Sequence, residues 1–145
     1  MIFRIFALAL TLCSCSSFTA SSKYPVQGKD YIIETGVNDN SKVFDIELKS
    51  TSPRKICISP GDWPLENGLW RGESGLFQIK SEGLTIDTPD ENAGHCIGKK
   101  CIIEVKPGRS IHATLRYEVF RDANSVVQLP RKTLVVNLAA STCPR

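Results

Sequence analysis

Histidine is scarce in this sequence: His95 and His112 are the two in 145 residues, and neither an HExxH zinc pattern nor a G-x-S-x-G nucleophile elbow occurs. The two are not spaced as ligands on one helix face. Excess charge is lacking too. A net charge of +3 arises from 18 basic and 15 acidic residues, and the pairs Arg54-Lys55, Lys99-Lys100 and Arg131-Lys132 are interspersed with acids, so composition makes no case for nucleic acid. No apolar run approaches the roughly 20 residues that span a bilayer as a helix. Helix-length stretches of 3.6-residue period are also missing, which points away from helical architectures.

What is present begins at the N-terminus. Arg4 is followed by the apolar run Ile5–Leu12, and the next charge is Lys23, which is the pattern of an export signal over residues 1–14. The run ends in Leu12, Cys13, Ser14 and Cys15, a stretch that resembles the bacterial lipobox. The resemblance implies cleavage after Ser14 and acylation of Cys15, hence a lipid-anchored lipoprotein facing the periplasm; ordinary cleavage after Ala20 is the alternative, giving a secreted or soluble periplasmic protein. Residues 15–30 are polar and aperiodic and read as a tether, whose fifteen or so flexible residues would span about 20 Å.

From Tyr31 onward the apolar period is two. In the stretch VFDIELK, Phe44, Ile46 and Leu48 alternate with Asp45, Glu47 and Lys49. In SIHATLRYEVF, Ile111, Ala113, Leu115, Tyr117 and Val119 alternate with His112, Thr114, Arg116 and Glu118. Weaker strands are expected at 31–34, 55–59, 76–80, 84–87, 101–106 and 133–139, separated by Pro- and Gly-bearing turns. About seven to eight short strands in one domain over residues 31–145 predict an all-β antiparallel sandwich, two sheets hiding each other's apolar faces. The stretches FDIELKSTSPRKICIS and VKPGRSIHATLRYEVF are similar to the immunoglobulin-like β-sandwich that precedes the catalytic domain of deuterolysin-type metalloproteases. The resemblance implies that fold and no activity, since the protease motif is missing.

Six cysteines divide by compartment. Cys13 leaves with the signal, Cys15 takes the lipid, and Cys57, Cys96, Cys101 and Cys143 remain as an even set in an exported chain, which predicts two disulfides. A Cys96–Cys101 bridge across IGKK and a Cys57–Cys143 bridge fit the turn chemistry, although four cysteines allow three connectivities. Closing the short loop contributes about 2 kcal/mol and the long one about 4.6 kcal/mol in the chain-entropy model. His95 beside Cys96 keeps a zinc reading in view, but oxidised thiols suit this compartment better, and no metal or cofactor is expected.

Catalytic constellations are poor. His112 falls on the outward face of a strand, and His95 lies in a polar loop. Asp87, Asp90, Glu91 and Asn92 gather oxygens without the spacing of a calcium loop. The distinctive segment is SPGDWPLENGLWRGESG, residues 59–75, which holds both tryptophans and four glycines. Trp63 and Trp70 are the candidate partner-binding residues, as an exposed aromatic platform on a long loop. The bland alternative is a loop that folds its own aromatics over the sandwich. The sequence thus leads to a non-catalytic, exported binding protein whose partner is a protein or cell-envelope component, or else to an inhibitor or immunity protein against an envelope-attacking enzyme.

Overall fold

The computed structural model describes residues 24–91 and 102–143. Within them the chain forms nine strands: β1 (Tyr31–Asn38), β2 (Val43–Ser50), β3 (Ile56–Ile58), β4 (Phe77–Ser81), β5 (Leu84–Asp87), β6 (Ile103–Val105), β7 (Ser110–Arg116), β8 (Thr133–Val136) and β9 (Ser141–Thr142). A six-residue helix, α1 (Ala123–Gln128), stands between β7 and β8. The fold is all-β, as the period-two patterning predicts. Every strand pair is antiparallel, but the hydrogen-bonded ladders form three three-stranded sheets, β1-β2-β7, β6-β3-β9 and β5-β4-β8, rather than two.

The third sheet has a local cause. The last stretch of chain pairs first with β4 through β8 and then with β3 through β9, crossing between two sheets over residues 137–140. Asn137 N–H still donates to Leu76 O at 2.8 Å, while Leu138 and Ala140 turn inward and are buried. Because the ladder is interrupted over residues 137–140, β8 and β9 belong to different sheets.

Alternation sorts the side chains as expected on the central strand. Phe44, Ile46 and Leu48 of β2 are almost wholly buried, as is Leu115 of β7, and they join Ile56, Ile58, Phe77, Ile79, Val105, Leu134 and Val136 in one continuous core. The first sheet meets β8 through Thr35 Oγ1, which donates to Leu134 O at 3.1 Å, and through the buried Tyr31, whose hydroxyl donates to Leu138 O at 2.8 Å. These bonds let polar groups enter the core without an orphaned donor.

β7 ends earlier than its pattern predicts. Alternation runs on to Val119, yet the strand stops at Arg116, opposite Val43, the first residue of β2, because the partner ladder is exhausted there. The chain continues as a 3-10 turn, Tyr117–Val119, with Tyr117 N–H donating to Lys42 O at 3.0 Å. Tyr117 and Val119 remain buried and Glu118 exposed, so the apolar alternation serves the core without the strand. Phe44 packs against the Tyr117 ring at 4.8 Å and the Phe120 ring at 6.0 Å. Helix α1 then starts at Asp122, whose carboxylate accepts from Ser125 N–H at 3.1 Å, a capping signal set within too few residues to show a helical period.

Cys57 and Cys143 are joined, with Cα atoms 5.0 Å apart. The bridge ties the end of β9 to β3, alongside the ladder pair Cys57 and Ser141. It is the disulfide among the described residues; Cys96 and Cys101 lie outside them, as do His95 and Cys15.

Candidate functional site

The segment after β3 folds from short-range bonds. Ser59 Oγ accepts from Gly61 N–H at 3.3 Å and starts the 3-10 turn Pro60–Asp62, whose proline needs no amide partner. Trp70 closes this turn: its indole Nε1–H donates to Gly61 O at 2.9 Å, and its ring meets Phe77 edge-on at 5.1 Å. Gly72 is required beside it. A β-carbon there would stand 2.5 Å from Trp70 Cζ2 and 2.9 Å from Gly61 O. Further along, Leu65 N–H donates to Leu69 O at 2.8 Å, and Arg116 N–H of β7 donates to Gly68 O at 2.9 Å, which lays the loop along the edge of β7. Gly68 adopts a φ of +76°, and a side chain there would collide with Arg116 and Thr114.

Both tryptophans are therefore interior. Trp63 is 7% exposed and Trp70 5%, and both belong to the main core. The expectation of an exposed aromatic platform is corrected: the loop places its indoles inward because burying such rings outweighs leaving them in water by several kcal/mol. Leu65, half exposed, is the large apolar side chain that the loop leaves in solvent.

What this folding creates is a groove of about 970 Å³. It is lined by residues 34–36 of β1, 45–47 of β2 and 112–114 of β7 together with Pro60, Trp63, Pro64, Leu65, Glu66 and Ile103. Trp63 borders it with its remaining exposed edge; Trp70 does not reach it. The ladder register brings Glu34, Glu47 and His112 into one row, and Gly36, Asp45 and Thr114 into the next. Glu34, Asp45, Glu47 and Glu66 thus share one groove with no Lys or Arg among its lining residues. His112 Nε2 lies 4.0 Å from Glu47 Oε1, with its side chain 70% exposed.

Placing Glu34 directly opposite Glu47 costs stability, since like charges in cross-strand register repel. That cost sits on a chain whose net charge is positive. The alternation in VFDIELK and SIHATLR places Asp45, Glu47, His112 and Thr114 on outward faces; only the register sets Glu47 and His112 in one row with Glu34, with Asp45 and Thr114 in the next, and only the fold brings a loop beside them.

The oxygen-rich stretch at residues 87–92 is engaged locally. Asp90 accepts from Ser74 N–H, a bond that holds its carboxyl below the usual value, and Glu91 pairs with Arg71 at 3.6 Å; Asn92 lies outside the described residues. Among the described residues no cluster of three or more His, Cys, Asp or Glu side chains could hold a metal ion. A second polar centre lies at the far end of β1, where Lys132 Nζ, almost buried, donates to Asp39 Oδ1 at 2.6 Å and Tyr117 hydroxyl donates to the same oxygen at 2.9 Å. Burial, then Asp39, push the Tyr117 hydroxyl well above its ordinary value, so it stays protonated and pins the turn instead of acting as a base. No protein-family model and no curated protein matches the chain.

Proposed function

We propose that this chain is an exported, lipid-anchored, non-catalytic β-sandwich of the immunoglobulin-like kind, attached through Cys15 to a membrane facing the periplasm, and that it binds a protein partner in the acidic groove. The observation that carries the reading is the groove itself: four carboxylates and an apolar margin of Trp63, Pro64 and Leu65, with no Lys or Arg in its lining, on a chain of net positive charge. Such a lining suits an extended segment that offers Lys or Arg side chains between apolar ones. The antiparallel pairing of the nine named strands supports the immunoglobulin-like assignment. The non-catalytic reading is supported by the solvent-open side chain of His112, whose ion-pair neighbour among the described residues is Glu47 rather than a serine or threonine hydroxyl it could activate.

The concave site and the folded-back loop favour a module that receives a partner segment over an inhibitor that inserts a finger into a cleft. Binding of labelled hexapeptides, alternating Lys with Val or Glu with Val, tests this directly. The cationic peptide should bind, and Glu34→Gln with Glu47→Gln should weaken it tenfold or more. Equal affinity for the two peptides, or no loss in the double variant, would reject the groove. The lipid anchor is tested separately: Cys15→Ser should release the protein from membranes, because stable attachment needs two or more acyl signals. Unmodified wild-type protein starting at Ser21 would rule it out.

A further inference from the structure

The molecule carries a second charged surface, at the end of the sandwich opposite the Asp39 centre. Backbone bonds gather three turns there: Thr51 and Ser52 N–H donate to Asp30 O at 2.9 and 2.8 Å, Ser50 N–H donates to Arg109 O at 3.0 Å, and Gly108 N–H donates to Ser50 O at 3.2 Å. These turns expose Lys29, Lys49, Arg54, Lys106 and Arg109. Among the described residues the charged groups of these five side chains make no ion pair and no hydrogen bond. Of the acids at this end, Glu104 pairs with Lys55 at 2.9 Å and Asp30 Oδ2 accepts from Val26 N–H at 2.8 Å.

The described chain begins at this same end. Tyr24 and Pro25 line a cavity of about 230 Å³ with Lys29 and Arg54, so the first described residue stands beside two of the five cations. Cys15 lies nine residues earlier in the sequence. Nine residues reach at most about 30 Å even when fully extended. An acyl chain on Cys15 would hold this end, and not the acidic groove, within range of a headgroup layer, where exposed cations are attracted over about a Debye length.

We propose that this basic end docks on an anionic phospholipid surface, orienting the domain so that the acidic groove stays clear of the repelling headgroups. Five exposed cations gathered at the end of the domain from which the chain runs back toward Cys15 give that end the charge complementary to a layer of anionic headgroups. It acts as a second attachment signal beside the acyl chains and does not depend on what occupies the groove.

The test uses the full chain carrying Cys15→Ser, so that acyl chains do not dominate, in cosedimentation with vesicles of phosphatidylglycerol and phosphatidylcholine at one to three, and of phosphatidylcholine alone. Binding should require phosphatidylglycerol and fall as salt rises. Lys29→Gln with Arg54→Gln and Arg109→Gln should weaken it by about 100-fold, whereas Lys80→Gln with Arg131→Gln, elsewhere on the surface, should leave it within about threefold. Undetectable binding to the anionic vesicles, equal partition onto the neutral ones, an unchanged triple variant that melts like the parent, or tighter binding to a DNA duplex than to the vesicles would each overturn the proposal. Failure here leaves the peptide-binding test of the groove untouched.

Discussion

Replacing Trp70 probes the physical basis of the groove, because this side chain holds together the loop that lines it. The indole is 5% exposed, donates to Gly61 O at 2.9 Å and packs edge-on against Phe77 at 5.1 Å. Trp70→Ala removes all three contributions and leaves a cavity, at a cost of about 3–5 kcal/mol. For a domain of this size that is a fall of about 10–20 °C in melting temperature. Trp70→Phe keeps an aromatic ring near Phe77 but strands the Gly61 carbonyl and shrinks the ring, so about 1–3 kcal/mol is expected. Urea denaturation followed by far-ultraviolet circular dichroism reads both, since it does not rely on the residue being replaced. Acrylamide quenching of the wild-type protein should be weak, both indoles being shielded. If Trp70→Ala lost less than about 1 kcal/mol, or if both tryptophans were quenched as freely as in the unfolded chain, the loop would not be packed as described.

Two further expectations follow from the covalent and ionic contacts. Replacing Cys57 and Cys143 together by Ala should destabilise the protein by up to about 4.6 kcal/mol, from the loop-closure entropy of a bridge spanning 86 residues, and a loss under about 1 kcal/mol in urea would show that the bridge constrains little. At Asp39, hydrogen bonds from Lys132 and Tyr117 hold the carboxyl below its usual value. Its stabilising contribution is therefore present above the ordinary carboxylate pKa of about 4 and is lost as pH falls through the lower folded value. Asp39→Asn should flatten the acid limb of the stability curve, and superimposable limbs for parent and variant would contradict this.

The sequence by itself determined that the chain builds short alternating strands and which residues of its central strand β2 face inward. Period-two alternation is a local property, so Phe44, Ile46 and Leu48 could be assigned to the core and Asp45 and Glu47 to solvent before any strand had a partner. The Pro and Gly turns between strands were legible for the same reason. Cysteine parity pointed to oxidised pairing but left three connectivities open; the approach of β3 and β9 selects Cys57 with Cys143. Tertiary structure alone decided where β7 ends, because that depends on the length of its partner, and that residues 133–142 divide between two sheets. It also decided the fate of the tryptophans. A loop rich in Gly and Trp reads equally as a platform or as core, and the choice turned on contacts with Gly61 and Phe77 that sequence order does not display. The groove is tertiary for the deepest reason: Glu34, Glu47 and His112 lie far apart in sequence, and only the register of three antiparallel strands sets them side by side.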